Sequence, residues 1–199
     1  VKVIMMYWQK INTFAEICIR VKHKKMKAKF LFATCMLLAA TTVAMAQEPR
    51  LPKKVENVTI LDLNGEKTQL PEWGKKNLMI FYIDPDVHSQ NSDFLDDMEV
   101  NHRAEGDNLY GFGIMNLKDA PMVPNSVARS LARKRTAKNG ATVLADQSRE
   151  LINAWGLGDC NNKFVLLIVS KEGELVYVKK GELSKADIDG FYKFIEKYK

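Results

Sequence analysis

Two six-residue stretches of this chain consist entirely of apolar and aromatic residues, Leu78–Ile83 and Phe164–Val169. Successive side chains of a strand point to opposite faces of its sheet, so these runs predict strands that are buried on both faces. The sequence therefore predicts a central sheet covered by helices on both sides. A polar loop over residues 84–90 follows the first run, at the end of the strand where α/β proteins bind their ligands.

Shorter apolar patterns predict the remaining strands. Alternation over Val55–Leu63, the turn pair Asn64-Gly65 and a return over Glu66–Leu70 predict an N-terminal β-hairpin. Glu174–Lys179 is predicted to pair as a second hairpin with the apolar run that precedes it. Further strands are predicted over Leu109–Met115 and Ala141–Ala145.

Apolar residues spaced three and four apart predict helices between these strands. The predicted helices span Asn91–Arg103, about Ser126–Lys138, Arg149–Trp155 and a last helix from Ser184. We expect Asn91, Ser92 and Asp93 to cap the first of them.

The predicted helix that ends at Lys138 is strongly basic. It carries Arg129, Arg133, Lys134, Arg135 and Lys138. We expect Val127, Ala128 and Leu131 to face the core, which leaves the cations on a solvated face near the negative end of the helix dipole. A contact with an anion or an acidic partner is the alternative interpretation. Asn139-Gly140 is predicted to end the helix in the left-handed conformation.

The first part of the chain has the pattern of an export signal. After Met26, a short cationic segment precedes an apolar run over Phe30–Ala44 and the A-x-A pattern Ala44-Met45-Ala46. This order predicts a secretory signal peptide that is cleaved near Ala46, with an uncleaved membrane anchor as the alternative. We divide the chain into a non-native or extended leader over 1–25, a signal peptide over 26–46, a flexible lead-in over 47–54 and one domain over 55–199.

Most of the positive charge belongs to the predicted export segment. The sequence has 30 Lys and Arg against 24 Asp and Glu, a net charge of +6. Residues 1–46 contain 8 of the basic residues and 1 of the acidic ones, so residues 47–199 hold 22 basic and 23 acidic residues, a net charge of −1. Nucleic-acid binding needs a basic surface, so we predict no nucleic-acid partner, and membrane contact only during export.

Three residues of the polar loop carry side chains that could do chemistry. Asp84, Asp86 and His88 alternate after the first apolar run, and their spacing could place two carboxylates and an imidazole around a divalent metal. The other interpretation is that the carboxylates accept backbone N–H groups of the loop and the next helix, stiffened by Pro85. Three ligands within five residues are a small set, so we predict neither a metal site nor a cofactor.

The strand pattern also resembles a known superfamily. Leu70, Gly74 and Leu78–Tyr82 resemble the lead into the active-site strand of thioredoxin-like proteins of the TlpA and peroxiredoxin type. Phe164–Val169 followed by Lys171–Val176 resembles their carboxyl-terminal hairpin. The resemblance implies a thioredoxin-like three-layer α/β sandwich, a central mixed sheet flanked by helices, here extended by the N-terminal β-hairpin.

Within that superfamily, Phe81–Asp86 with Asn91 and Phe94 resembles the YtfJ-like family of small exported bacterial proteins of unknown function. The resemblance and the signal peptide together imply a periplasmic protein.

The departures from the superfamily concern its chemistry. The resemblance places the redox C-x-x-C tetrad on Asp86–Ser89, which contains no cysteine, and the threonine and cysteine of peroxiredoxins are also missing from this loop. The loop before the hairpin, Asp159–Lys163, lacks the proline that usually faces the redox pair. The resemblance therefore implies the fold and supplies no catalytic residue.

One thiol remains to be interpreted. Of three cysteines, only Cys160 follows the predicted signal peptide, so no internal disulfide is expected in the mature chain. In this fold its loop faces a helix N-terminus, where a thiolate would have a lowered pKa and be reactive. A single-cysteine redox residue is one interpretation, and an inert, semi-buried thiol is the one that we adopt.

These observations leave three hypotheses. The first is a redox-inactive periplasmic module that binds a protein, a peptide or a small ligand through Asp84, Asp86, His88, Ser89 and Asn161. The second is a thiol oxidoreductase or peroxidase-like protein that uses Cys160. The third is a divalent metal site on the loop after the first apolar run.

Overall fold

The computed structural model describes residues 49–120 and 124–199, and the predicted leader and signal peptide lie outside them. The described strands are β1 (Lys53–Lys54), β2 (Thr59–Leu61), β3 (Lys67–Gln69), β4 (Asn77–Ile83), β5 (Leu109–Asn116), β6 (Val143–Asp146), β7 (Phe164–Val169) and β8 (Glu174–Lys180). The helices are α1 (Ser92–Asn101), α2 (Asn125–Asn139), α3 (Glu150–Trp155) and α4 (Lys185–Ile195), with 3₁₀ turns at Pro85–Val87 and Glu196–Tyr198. The strands form one mixed sheet in the order β1-β8-β7-β4-β5-β6-β2-β3.

The two apolar runs lie side by side at the centre of this sheet. β4 pairs in parallel with β5, with Ile80 opposite Phe112, and antiparallel with β7, with Ile80 opposite Leu167. Every residue of β7 is buried, as are five of the seven residues of β4. The prediction that both runs form doubly covered strands is confirmed.

Alternate residues of β4 and β7 enter two separate cores. Leu78, Ile80 and Tyr82 join a cluster on one face that includes Trp155 and Leu151 of α3. Their neighbours Met79, Phe81 and Ile83 join a second cluster on the other face, where α1 and α4 pack. The residues that α1 and α4 bury there are Phe94, Phe191, Tyr192 and Ile195. A continuous apolar sequence thus supplies both cores because the side chains of a strand alternate.

The predicted N-terminal hairpin extends one edge of the sheet. β2 and β3 are antiparallel, and Leu61 of β2 lies opposite Ala145 of β6. The turn closes at Gly65, whose φ of 93° suits a residue without a Cβ atom. The side chain of Asp62 accepts hydrogen bonds from the backbone N–H of Asn64 and of Glu66, at 2.8 and 2.9 Å.

The opposite edge differs from the prediction at one point. Lys53 and Lys54 were predicted to belong to a flexible lead-in, but they form β1, where Lys53 lies opposite Leu175 and Lys54 opposite Glu174 of β8. Lys53 Nζ also donates to the carbonyl of Trp155 at 2.8 Å. The pairing stabilises this segment because β8 would otherwise expose its edge N–H and C=O groups.

The orientation predicted for α2 is wrong. Val127 and Leu131 were expected to face the core, yet 46% and 59% of their surface is exposed. The half-buried residues of the helix include Ala128, Ala132 and Thr136, which are small. Ala128 is half-buried, as expected, and Gly140 ends the helix with a φ of 70°, so the left-handed cap is confirmed. The spacing of four correctly placed Val127 and Leu131 on one face of the helix, but that face is turned to solvent.

Two helix starts show why sequence patterns differ in reliability. Ser184 accepts a hydrogen bond from Asp187 N–H while the Asp187 carboxylate accepts from Ser184 N–H, which is a complete capping box for α4. Asn91, by contrast, makes no side-chain cap for α1, so that prediction is wrong. Among the described residues, no helix is both long enough and apolar enough to cross a membrane.

Candidate functional site

The candidate site lies where four loops meet at the edge of the sheet formed by the carboxyl ends of its central parallel strands. β4, β5 and β6 are parallel, so their carboxyl ends lie at the same edge. β7 runs the other way, with Phe164 opposite Ile83, so the loop that precedes it reaches the same edge. This brings the predicted site residues on the loop after β4 close to the loop that contains Cys160 and Asn161.

Asp84 joins these two loops from within. Its side chain is fully buried. Oδ1 accepts from the backbone N–H of Asp86 at 2.9 Å, and Oδ2 accepts from that of Asn162 at 2.8 Å. The backbone N–H of Asp84 donates to the carbonyl of Lys163 at 3.3 Å. Both carboxylate oxygens are therefore engaged by the protein, which makes Asp84 an anchor for the site and not a group that meets a ligand.

The metal alternative fails on this geometry. Asp84 points inward, whereas Asp86 and His88 are exposed, and His88 Nδ1 lies 3.2 Å from the carbonyl oxygen of Pro85. Within residues 49–120 and 124–199, no three His, Cys, Asp or Glu side chains form a group that could hold a metal ion. In an extended strand, alternation would have put the side chains of Asp84, Asp86 and His88 on one face. The loop instead turns into a 3₁₀ helix over Pro85–Val87.

The remaining predicted binding residues are all exposed on these two loops. Asp86, His88 and Ser89 lie on and just after the 3₁₀ turn, and Asn161 lies on the facing loop. The backbone N–H of Asn161 is fixed by Asp159 Oδ1 at 3.0 Å, and Lys163 Nζ is 2.7 Å from Asp159 Oδ2. The structure thus offers a polar, solvent-facing surface built on two loops that Asp84 joins.

Two residues that the sequence did not assign to the site fix its other side. Gln90 Oε1 accepts from the backbone N–H of Phe164 at 2.7 Å. Asn91 Oδ1 accepts from the N–H of Leu183 at 2.8 Å, and Asn91 Nδ2 donates to the carbonyl of Gly181 at 3.0 Å. Because the partners are 74 to 92 residues away, no local pattern identifies these contacts.

A second buried carboxylate lies at the same edge. Asp146, fully buried at the end of β6, accepts backbone N–H groups of Glu150 at 2.9 Å and of Leu151 at 3.0 Å. It also accepts the Tyr82 hydroxyl at 3.2 Å. Burial, and then the negative charge of Asp146, raise the pKa of Tyr82 far above its usual value, so the phenol stays protonated as a donor. Asp146 thus holds the first residues of α3, and its bond with Tyr82 ties them to β4.

Close to Asp146 in the sheet, Asp119 on the loop after β5 is bound by Arg149 and Asn116. The guanidinium of Arg149 donates to Asp119 through both Nε and Nη2, and Asn116 Nδ2 donates to Asp119 at 2.6 Å. Burial alone would raise the pKa of Asp119, but the hydrogen bonds from Arg149 and Asn116 outweigh it and hold the pKa below its usual value. Asn116 and Asp146 end adjacent strands. The rule that α/β proteins bind ligands at the carboxyl ends of their strands, which pointed to Asp84, could therefore have found both.

Cys160 is buried beneath this surface. Only 1% of its surface is exposed, and it belongs to the apolar cluster that contains Tyr82 and Trp155. Burial raises the pKa of Cys160 to about 11, although the positive charges of Lys180 and Lys163 act in the opposite direction. The thiol is free, and it is the single cysteine among the described residues. A lowered pKa was the condition for a reactive thiolate, and the structure contradicts it.

Comparison with solved structures identifies the architecture. The exposed lipoprotein thioredoxin Etrx1 of Streptococcus pneumoniae is similar with a TM-score of 0.52 and 18% identity, over 70% of this chain and 99% of that one. A DsbF homologue from Corynebacterium diphtheriae gives a TM-score of 0.53 and 14% identity, over 84% and 99% of the two chains.

This chain has the thioredoxin-like fold. A thiol-disulfide oxidoreductase from Bacteroides fragilis matches with a TM-score of 0.50 and 13% identity, over 72% and 99% of the chains. The predicted fold class is confirmed, including the central mixed sheet flanked by helices. No protein-family model and no curated protein matches the chain. Identities this low carry the fold alone, so function has to be argued from the site.

Proposed function

We propose that this protein is a redox-inactive thioredoxin-fold module that binds a protein or peptide partner through the surface of Asp86, His88, Ser89 and Asn161. The observation that carries the proposal is the state of Cys160, a buried thiol with a pKa of about 11. Thiol–disulfide exchange proceeds through the thiolate. At pH 7 such a thiol is ionised in about one molecule in ten thousand, and solvent does not reach it.

The rigidity of this surface supports the proposal that it binds a partner. Asp84 and Gln90 fix the two ends of the loop after β4 to the segment that leads into β7. The backbone of such a loop loses little conformational freedom when a partner binds. The charges of the surface are mixed, with the exposed Asp86 on one loop and the Asp159–Lys163 ion pair on the other, which suits a polar protein or peptide surface better than a simple anion.

Thiol chemistry tests the redox half of the proposal. We expect Cys160 to react with Ellman's reagent at least a hundredfold more slowly in the native protein than after unfolding in urea. Insulin reduction and peroxide turnover should equal those of a Cys160→Ser variant. A fast native reaction, or turnover that disappears in the variant, would establish the single-cysteine enzyme instead.

Site-specific crosslinking tests the binding half. A photoreactive amino acid placed at Ser89 should give a discrete adduct when the protein is irradiated in its own cells. The same amino acid at Lys67, exposed on β3 at the sheet edge beyond β2, is the matched control. Adducts at both positions, or at neither, would refute a partner at the proposed surface.

Export is part of the same proposal. It is supported by the signal-peptide pattern over residues 26–46 and by the description of Etrx1 as an exposed lipoprotein. The mature protein should begin at Gln47 by intact mass and should be released with the periplasmic fraction. An intact chain that still carries the segment would contradict cleavage. Membership of the YtfJ-like family stays a prediction from Phe81–Asp86.

A further inference from the structure

Two helices of opposite charge carry the most exposed apolar side chains of the described chain. Val100 on α1 is 72% exposed, and Leu131 and Val127 on α2 are 59% and 46% exposed. α1 has four acidic residues and no basic one, Asp93, Asp96, Asp97 and Glu99. α2 has five basic residues and no acidic one, Arg129, Arg133, Lys134, Arg135 and Lys138.

Most of these charges have no ion-pair partner within the described residues. Asp97 is engaged by Arg103 and by the Tyr192 hydroxyl, and Arg133 donates to the carbonyl of Leu63 at 2.6 Å. No ion pair involves the acids Asp93, Asp96 and Glu99 or the bases Lys134, Arg135 and Lys138 in residues 49–120 and 124–199. Each helix therefore presents an uncompensated charge beside an uncovered aliphatic side chain.

The order of these groups along the two helices is matched in reverse. On α1, Asp93 and Asp96 precede Val100 by seven and four residues, and on α2, Arg135 and Lys138 follow Leu131 by four and seven. A rise of about 1.5 Å per residue puts the two charges about 6 and 10 Å from the apolar side chain on both helices. An antiparallel pair thus sets Val100 on Leu131, Asp96 on Arg135 and Asp93 on Lys138 in one register.

We propose that α1 of one copy of this protein docks antiparallel on α2 of a second copy. A second copy fits better than an anionic membrane or nucleic acid, because those would engage α2 and leave the complementary surface of α1 unused. In a two-fold dimer the contact forms twice, whereas otherwise it joins copies head to tail. One helix pair buries little area, so the association is weak, and its ion pairs make it sensitive to salt.

Sedimentation velocity on the purified protein tests this interface. At 50 mM NaCl the sedimentation coefficient should rise with protein concentration, and at 500 mM NaCl it should return to the monomer value. Asp96→Lys and Arg135→Glu should each weaken the association on the order of tenfold, because an attractive exposed pair becomes a repulsive one. Both side chains lie on the surface, so far-UV circular dichroism should show unchanged folding.

The decisive measurement is whether a second, opposite charge change restores the association. The Asp96→Lys/Arg135→Glu double variant should regain the wild-type association constant, and so should an equimolar mixture of the two single variants, in which the opposed charges again match. Glu182→Lys and Lys67→Glu make the same charge changes at exposed residues outside both helices and should leave the association unchanged. A protein that is monomeric at every concentration overturns the proposal. So does association that is unaffected by the single variants or is not restored by the double variant.

Discussion

The buried carboxylate of Asp84 offers the sharpest test of how the site is built. Replacing it by Ala leaves the N–H groups of Asp86 and Asn162 without their acceptor inside the protein. Hydrogen bonds to a charged group contribute about 1.5–3 kcal/mol each, and water reaching the relaxed loop recovers part of that. We therefore expect Asp84→Ala to lower the free energy of unfolding by about 3 kcal/mol.

Asparagine refines the same prediction. The Asn side chain keeps one oxygen acceptor but turns an N–H₂ group toward the second backbone N–H, so Asp84→Asn should cost about 2 kcal/mol. The matched control is Asp86→Asn on the same loop, because Asp86 is exposed. Exposed substitutions of this kind usually change stability by no more than about 0.5 kcal/mol.

Urea unfolding followed by tryptophan fluorescence measures all three variants, since Trp155 is fully buried in the native protein. The urea midpoint should be highest for Asp86→Asn, lower for Asp84→Asn and lowest for Asp84→Ala. The dependence of the unfolding free energy on urea concentration should be the same for all three. Equal midpoints for the two Asn variants would refute the anchoring role of Asp84. A divalent ion that raises the midpoint of the wild type but not of Asp84→Asn would restore the metal alternative.

Three further outcomes follow from the same structure. Tyr82→Phe removes the hydroxyl that donates to Asp146 and should cost about 1 kcal/mol in urea unfolding, and no loss would show that the bond is unimportant. Hydrogen bonds from Lys179 and Ser184 lower the pKa of Asp187 to about 2, so its stabilisation is present above about pH 4 and is lost as the pH falls toward 2. Asp187→Asn should remove that part of the acid dependence of the melting temperature, and an unchanged acid profile would contradict it. Because burial raises the pKa of Cys160 to about 11, the unfolded chain ionises first above pH 9 and stability should fall with rising pH, a slope that Cys160→Ala should reduce and that an identical profile would disprove.

The sequence was most informative for the strands that are buried on both faces of the sheet. Six apolar residues in β4 and six in β7 can be accommodated only between two covered faces, so the centre of the sheet followed from the residues alone. α2 shows the limit of this reasoning. The spacing of Val127 and Leu131 defines a helical face but cannot say whether that face meets the sheet, and here it is exposed to solvent.

The site could be located from the sequence, although its internal connections could not. The end of the first apolar run pointed to Asp84, whereas Asn116 and Asp146 at the neighbouring ends of β5 and β6 were identified only in the structure. The contacts of Gln90 with Phe164 and of Asn91 with Leu183 join residues 74 and 92 positions apart. Such pairs depend on how the chain returns to the sheet, which no short sequence pattern records.

The two buried carboxylates also bear on what this edge can bind. Asp84 accepts two backbone N–H groups, from Asp86 and Asn162, and Asp146 accepts three, from Ser148 and the first residues of α3, so these donors already have a negative partner inside the protein. Those N–H groups are consequently not available to an anionic ligand, and recognition falls to the side chains above them. Asp86, His88 and Ser89 stand on a loop whose two ends are fixed, so the backbone of that loop loses little conformational entropy when a partner binds. A partner that fits this edge should therefore be selected by its shape and its hydrogen-bonding groups rather than by a single strong charge.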